Sequence, residues 1–222
     1  MEQSVNKMEI FVNKFDEESA RDFAKQLNEA TMIDPNHPIT IVIDSFGGQA
    51  FSLINMIESL RQVHNPIVTV CKGKAMSCGA MLLAMGDQRF CGKDSSIMIH
   101  EISAGTIGHV DDMKVDAEET IRLNLQVMTI LAERCKMTYK QMKDKITLNG
   151  RRDLYLTAQQ AKEFGLIDAV GIPVIKPVIM YTIDVVPEKR VTFEQQVPEK
   201  IIKKLNKRKS KTKTVSKSKK KK

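Results

Sequence analysis

Runs of apolar residues recur through the first half of the chain, and their composition is typical of buried β-strands. Residues 39–44 (ITIVID) and 67–71 (IVTVC) are nearly uninterrupted and rich in β-branched side chains, as in strands covered on both faces of a parallel sheet. The pattern predicts strands over residues 8–12, 39–44, 67–71, 88–91 and 96–100.

Apolar residues at helical spacing lie between and after these strands. The predicted helices span residues 16–32, 51–64, 78–85, 110–135, 138–146 and 157–165. The last of them has Thr157 as its N-cap and Gly165 as its C-cap. Two connections are predicted to be loops: residues 73–77 (GKAMS) and the glycine-rich residues 103–109 (SAGTIGH).

The alternation of strands and helices predicts an α/β layered fold with a largely parallel sheet. The composition of the sequence changes after Val170, because four of the seven prolines lie beyond this residue. We therefore expect one domain over residues 1–170, an accessory segment over 171–205 and a tail over 206–222. Beyond Val170, an additional strand is predicted at residues 178–186 and a short helix at 199–207.

Positive charge is concentrated at the end of the chain. Residues 206–222 contain ten of the 35 basic residues and no acidic residue, which leaves 25 basic and 27 acidic side chains elsewhere. The overall charge of +8 therefore comes from the tail, and the rest of the chain carries a net charge of −2. Such a block of like charges is typical of a disordered, solvated tail. The alternative is weak, salt-dependent binding of a polyanion, without base stacking because the tail has no aromatic residue.

Several classes of protein are not indicated by the sequence. No stretch approaches the roughly 20 apolar residues that span a bilayer, and the N-terminus lacks the basic-then-apolar order of a signal peptide. The four cysteines, Cys71, Cys78, Cys91 and Cys135, are irregularly spaced and form no CxxC pair. We therefore expect a cytoplasmic protein with reduced thiols and no membrane, zinc or disulfide. No glycine-rich phosphate loop occurs, and no cofactor is predicted.

Polar or glycine-bearing segments follow three of the predicted strands: Gly47-Gly48, Ser77 and His100. The ends of parallel strands meet at one edge of a sheet, where ligands bind. Ser77 is either a helix cap or a nucleophile, and a nucleophilic serine needs a base to accept its proton. Among the four histidines only His100 ends a buried strand, so it is the preferred base, with a structural histidine as the alternative.

Acyl transfer also requires N–H donors directed at the developing oxyanion. Gly48 follows a buried strand, where its N–H can approach a substrate without a Cβ in the way. The N–H of Cys78, at the start of a predicted helix, has no intrahelical acceptor. A tight turn is the plainer interpretation of the glycine pair. Cys78 is also a possible nucleophile, although a cysteine in this position is more often a small buried apolar residue.

The same segments resemble the Clp peptidase family of self-compartmentalised serine proteases. The resemblance rests on four motifs in the right order, which together cover about residues 8–170. They are IDSFGG (43–48), MSCGAMLLAMG (76–86), SSIMIH (95–100) and RRDLYLTAQQAKEFGLIDAV (151–170).

The resemblance implies a role for each motif residue. Ser77 would be the nucleophile, His100 the base and Asp153 the acid that orients the base, with the N–H groups of Gly48 and Cys78 in the oxyanion hole. Asp153 is implied by the resemblance alone, because the sequence itself does not distinguish it from the other 26 acidic residues.

The family also implies a fold, an assembly and partners. Its members have a crotonase-like α/β domain with a projecting handle of helix and strand. Here the predicted helix 110–135 matches the handle, and residues 102–112 match the glycine-rich strand where two rings meet. The resemblance implies a homo-oligomer of stacked heptameric rings, a polypeptide substrate and a separate Clp-type ATPase. The substrate would bind as an added strand along the edge formed by Gly47 and Gly48.

The chain departs from the family pattern at several positions. Glu101-Ile102 replaces the Gln-Pro that usually follows the base, Phe46 replaces a proline, and the interval from serine to histidine is slightly short. The first predicted strand begins near Met8, which leaves little of the family's axial segment, the part that engages the ATPase. By analogy, these departures indicate a divergent member of the kind that phages encode to process head or scaffold proteins.

Two other functions are compatible with these residues. One is a crotonase-type acyl-CoA enzyme, which shares the fold and the oxyanion hole but has no need of Ser77. The other is a non-catalytic scaffold protein that keeps the fold. The presence of Ser77, His100 and Asp153 in this order favours the serine endopeptidase over both.

Overall fold

The computed structural model describes residues 8–150 and 152–175, and in this part of the chain strands alternate with helices as predicted. The strands are β1 (Glu9–Val12), β2 (Ile39–Ser45), β3 (Ile67–Met76), β4 (Gln88–Cys91), β5 (Ser96–His100), β6 (Asp153–Thr157) and β7 (Ala169–Val170). The helices are α1 (Glu17–Ile33), α2 (Ala50–Gln62), α3 (Cys78–Leu83), α4 (Val110–Arg134), α5 (Tyr139–Ile146) and α6 (Ala158–Phe164). The predicted strand 178–186, helix 199–207 and basic tail lie outside the described residues.

The sheet is largely parallel, as predicted. Strands β1, β2, β3, β4 and β7 lie side by side in that order, and each neighbouring pair is parallel. In β2, six of the seven residues are buried, which is what its uninterrupted β-branched run indicated. The carboxyl ends of the central strands therefore meet at one edge of the sheet.

Strand β3 is longer than predicted, and the loop predicted at residues 73–77 is wrong. The first part of β3 pairs with β4, with Val68–Cys71 opposite Gln88–Cys91. Beyond this point β3 continues and pairs with β5, with Lys74–Met76 opposite Ser96–Met98. Gly73 interrupts the run of apolar residues in the sequence. The pairing with β5 nevertheless holds residues 74–76 in an extended conformation.

Strand β6 was not predicted, and it is antiparallel to β5. Its sequence, DLYLT, alternates polar and apolar residues except at Tyr155, and this alternation was the available signal. The register pairs Asp153, the first residue of β6, directly with His100, the last residue of β5.

Local sequence explains where the helices begin and end. The side chain of Asp16 accepts a hydrogen bond from the N–H of Ser19, and that of Thr157 accepts one from the N–H of Gln160. In each pair the side chain of the later residue accepts from the N–H of the cap residue, which completes a capping box. Gly165 ends α6 in the left-handed conformation (φ 85°), which confirms both predicted caps of this helix. Helix α3 is different, because all six of its residues are buried and five of them belong to the apolar core of the described chain.

Helix α4 is buried only in its second half. Its buried residues begin at Leu123, whereas residues 110–119 are all exposed. The first half of α4 therefore contributes no residue to the apolar core of the described chain, as expected of a projecting handle. Its contact with the preceding segment includes a hydrogen bond that Thr106 donates to Asp116. Among the described helices, none combines the length and apolar composition that a membrane crossing needs.

The glycine-rich strand expected at residues 102–112 is absent from the described structure. Residues 101–109 are neither helix nor strand, and α4 begins at Val110. A strand requires a neighbour to accept its backbone hydrogen bonds, and no described strand lies beside this segment.

Arg89 joins three parts of the fold through its nearly buried guanidinium. It makes a two-point ion pair with Asp168, with Nη2–Oδ1 at 2.6 Å and Nε–Oδ2 at 3.1 Å. Its Nη1 donates to the carbonyls of Gly165 and Arg134, at the ends of α6 and α4. These hydrogen bonds from Arg89 lower the pKa of the Asp168 carboxyl below its ordinary value.

We expect Asp168→Asn to lower the free energy of unfolding by about 1–3 kcal/mol at neutral pH, because it removes a charge-assisted partner of Arg89. Since the pKa of Asp168 is lowered by folding, its stabilisation is present at neutral pH and is lost as the pH falls below about 4. Urea unfolding at pH 7 and at pH 3 measures the difference between wild type and variant.

The matched control is Asp144→Asn, which removes an exposed ion pair with Lys140 on α5. It should change the free energy of unfolding by less than about 0.5 kcal/mol. An Asp168→Asn protein as stable as this control at pH 7 would show that the Arg89 ion pair does not stabilise the fold.

Candidate active site

Ser77 lies between β3 and α3 in a strained backbone conformation. Its φ of 53° and ψ of −119° lie in a region that residues with a side chain rarely adopt. The backbone is held on both sides, because the N–H of Ser77 donates to the carbonyl of Met98 (2.8 Å) and its carbonyl accepts from Met81 (3.1 Å). Ser77 occupies the N-cap position of α3, yet its side chain makes no capping hydrogen bond.

The Ser77 hydroxyl is directed at His100 instead. Its Oγ lies 2.8 Å from Nε2 of His100, and the His100 side chain is 24% exposed. With the imidazole proton on Nδ1, Nε2 accepts the hydrogen bond from the hydroxyl. The Ser77 side chain therefore does not cap α3, and its role as a nucleophile stays a prediction.

Asp153 is brought beside the other nitrogen of the same imidazole. Its Oδ1 lies 3.8 Å from Nδ1 of His100, which is beyond hydrogen-bonding distance, and its side chain is 48% exposed. The antiparallel register of β5 and β6 produces this proximity. The three residues that the resemblance implied therefore lie together, in the order Ser77, His100 and Asp153.

The Gly47-Gly48 turn packs too closely against its neighbours to accommodate any other residue. A Cβ on Gly47 (φ 101°) would lie 2.7 Å from Cβ of Ser77, and one on Gly48 (φ 155°) would lie 2.4 Å from the carbonyl oxygen of Phe15. The N–H of Gly47 donates to Oγ of Ser45 at 3.1 Å. Among the described residues, no acceptor is found for the N–H of Gly48.

Cys78 is buried beneath this turn. Its thiol donates to the carbonyl of Gly48 at 3.3 Å, and its burial raises the pKa of the thiol above the ordinary value. As the first residue of α3, Cys78 has no intrahelical acceptor for its own N–H. The thiol contact therefore brings Cys78, the residue after Ser77, next to Gly48.

The other histidines lie elsewhere in the fold. His37 and His64 precede β2 and β3 at the amino ends of those strands, opposite the edge that carries Ser77. His109 lies immediately before α4 and is exposed. The structure therefore brings only one of the four histidines next to Ser77.

A cavity of about 600 Å³ is lined by residues that follow Gly48 and His100 closely in the sequence, Ala50 and Ile102 among them. It is bounded by the first turn of α2, the segment that follows His100 and one face of α4. Its walls are mainly apolar, and the residues that form them include Ala50, Phe51, Ile102, Ala104, Ile121 and Leu123. The sequence analysis did not identify this cavity, because its walls come from segments far apart in the chain.

A family model described as Clp protease matches residues 1–173. The chain therefore belongs to the Clp protease family, and the fold described above agrees with that assignment. The predicted family and fold class are both confirmed.

Curated proteins give the same result. The chain is 38% identical over 165 residues to ATP-dependent Clp protease proteolytic subunit 1 of Thermobifida fusca, covering 72% of both chains. It is 36% identical over 159 residues to proteolytic subunit 3 of Nocardia farcinica and 31% identical over 157 residues to the proteolytic subunit of Bacteroides thetaiotaomicron, each alignment covering 70% of both chains. Family and relatives together make this protein a protease of the ClpP type.

We predict that Gly47→Ala slows the reaction of Ser77 with a fluorophosphonate probe by about 100-fold. The new methyl group would displace Ser77, and a shift of about 1 Å is sufficient for such a loss. Gly108→Ala is the control, because a Cβ there has nothing within 4 Å. Equal labelling rates for the two variants would contradict the steric role of Gly47.

Proposed function

We propose that the protein is a serine endopeptidase that cleaves extended or unfolded polypeptides through an acyl-enzyme intermediate. The observation that carries the proposal is the 2.8 Å contact between Oγ of Ser77 and Nε2 of His100, at the carboxyl edge of the sheet. Residues 1–170 would form the peptidase domain, since all of the site residues lie within them. Membership of the Clp protease family supports the same reaction.

In the proposed first step, Oγ of Ser77 attacks the carbonyl carbon of the scissile peptide bond while its proton passes to Nε2 of His100. The C–N bond then breaks, the leaving amine takes the proton from the imidazolium, and an ester links Ser77 to the acyl part of the substrate. Water attacks this ester with the same imidazole as base, which releases the acid and restores the hydroxyl.

The N–H groups of Gly48 and Cys78 are the proposed oxyanion donors. Both groups belong to residues in contact with each other across the site, through the thiol of Cys78 and the carbonyl of Gly48. A tetrahedral oxyanion next to Ser77 would accept both hydrogen bonds. The close packing of Gly47 against Ser77 would keep the donors and the nucleophile in one rigid unit.

Asp153 is the proposed orienting acid. A carboxylate next to Nδ1 of His100 favours the tautomer that leaves Nε2 free to accept the serine proton. The present separation of 3.8 Å would have to shorten by roughly 1 Å for a hydrogen bond, and catalytic contacts often tighten only in the substrate complex.

Substrate is proposed to bind as an extended strand along the edge formed by Gly47 and Gly48, because the N–H of Gly48 has no acceptor among the described residues and neither glycine carries a side chain. The adjacent cavity would receive a substrate side chain. Its mainly apolar walls favour an apolar residue.

The alternatives considered from the sequence are less well supported. A thiol nucleophile is disfavoured because burial raises the pKa of Cys78 and its sulfur is engaged with Gly48, whereas a reactive cysteine needs a stabilised thiolate. An acyl-CoA enzyme or a scaffold protein would give no reason for the contact between Ser77 and His100.

We propose that the active form is a homo-oligomer of heptameric rings in the cytoplasm, working with a Clp-type ATPase. The apolar side chains exposed around the first half of α4 support an interface, because large apolar patches rarely face water. They include Ile107, Val110, Val115 and Ile121, which are 102, 69, 64 and 68% exposed. Attraction of residues 206–222 to a polyanion stays a prediction from composition.

The triad is tested with the full-length protein, a fluorophosphonate probe and a fluorogenic peptide. We expect the adduct on Ser77, and His100→Ala should abolish both the adduct and peptide hydrolysis. Asp153→Asn should lower kcat by up to about 10⁴-fold, because the imidazole tautomer is no longer held. Peptide mass mapping locates the adduct, and initial rates give kcat.

Asp94→Asn, which changes an exposed acid, is the control for loss of charge. An Asp153→Asn rate within a few-fold of wild type would remove Asp153 from the proposal while leaving the other two residues in it. Absence of any adduct on Ser77 in the oligomeric protein would overturn the peptidase assignment and favour the scaffold.

The assembly is tested by light scattering, which should give a mass that is a multiple of seven 25.1 kDa chains. Val115→Asp should shift the protein to smaller species by placing a charge in the proposed interface. Glu118→Gln, at an exposed position on the same helix, should leave the mass unchanged. A wild-type protein that is monomeric at micromolar concentration would contradict the ring assembly.

A further inference from the structure

The segment that follows His100 forms part of the cavity wall without belonging to a helix or strand. The ladder between β5 and β6 ends at His100, and residues 101–109 have no regular structure. Ile102, two residues beyond the base, nevertheless lines the 600 Å³ cavity together with Phe51 and Leu123. Some other contact must therefore hold Ile102 in place.

Asn124 on α4 provides that contact with both ends of its amide. Its Oδ1 accepts a hydrogen bond from the backbone N–H of Ile102 at 2.9 Å. Its Nδ2 donates to Oε1 of Glu101 at 3.0 Å, and Nζ of Lys143 lies 3.6 Å from the same oxygen. Asn124 is partly buried beside the buried Leu123, so α4 itself is fixed at this point.

The identity of residues 101 and 102 makes this contact necessary. A proline at position 102, which the resemblance to the family leads one to expect, has a fixed φ and no N–H. Ile102 lacks that restriction and carries an N–H that would be costly to leave unpaired in a half-buried position. Asn124 satisfies this N–H and at the same time restricts the backbone.

We propose that Asn124 is a positioning residue for substrate selection: it fixes the backbone of Glu101 and Ile102, so that Ile102 forms a rigid wall of the side-chain cavity. This inference rests on the proposed peptidase function. Asn124 does not touch Ser77 or His100, whose contact is set by the strand ladders. Its loss should therefore affect the fit of the substrate and leave the nucleophile reactive.

The experiment uses two fluorogenic peptides that differ only in having Leu or Ala at the residue whose carbonyl is attacked. For Asn124→Ala we expect kcat/KM for the Leu peptide to fall about tenfold, mainly through KM, while the Ala peptide changes less than threefold. The rate of fluorophosphonate labelling of Ser77 should stay within twofold of wild type. Gln126→Ala, at an exposed position on the same helix, should change none of these values.

Rescue distinguishes positioning from a general loss of structure. In the double variant Glu101→Gln with Asn124→Asp, a carboxylate at 124 still accepts from the N–H of Ile102, and the amide at 101 donates to it. This exchange of donor and acceptor should return the ratio between the Leu and Ala peptides to within about threefold of wild type. Asn124→Asp alone should recover less, because its carboxylate faces Glu101.

Three outcomes would overturn the inference about Asn124. A labelling rate that falls in parallel with peptide hydrolysis would show that Asn124 acts on the catalytic pair. An unchanged ratio between the two peptides in Asn124→Ala, or no recovery in the double variant, would show that it does not shape the cavity. Failure of wild type to be labelled at all would instead remove the proposed peptidase function, so the two failures are distinguishable.

Discussion

The hydrogen bond from the N–H of Ser77 to the carbonyl of Met98 is the contact on which the site depends. It continues the ladder by which the second half of β3 pairs with β5, and it sets the distance between the ends of these strands. Because His100 is the last residue of β5, this register brings its imidazole to the serine hydroxyl. Backbone hydrogen bonds within the sheet therefore hold Ser77 and His100 in place, which favours the fixed geometry that acyl transfer requires.

A steric constraint acts together with this ladder. Ser77 adopts a positive φ, and the turn at Gly47 approaches it so closely that a methyl group would collide with its side chain. Strain of about 1–3 kcal/mol at such a residue persists only when the surroundings determine its conformation. Here α3, with all of its residues buried, and the strand ladder supply that support. The hydroxyl consequently faces His100 and not the end of the helix.

Stability and substrate selection depend on other contacts. The hydrogen bonds of Arg89, including its ion pair with Asp168, join β4 to the ends of α4 and α6. Asn124 lies on the same long helix but acts at the segment after His100. Helix α4 thus connects the core, the cavity wall and the exposed apolar surface proposed for assembly.

Periodicity and caps identified β1, β2, β4, β5 and every described α-helix, because these elements follow from local burial patterns and from side chains such as Thr157 and Gly165. They also indicated Ser77 and His100 as residues at strand ends. The second half of β3 and the hydrogen bond to Asn124 could not be predicted from local sequence, because each depends on a partner more than 20 residues away. Strand β6 carried a local signal in its alternation, but its pairing with β5 is also long-range. Asp153 was identified only by the resemblance to the family.

The sequence by itself determined the layered α/β architecture and the residues able to do chemistry. Only the tertiary structure decided which of those residues meet, since strand register is set by long-range pairing.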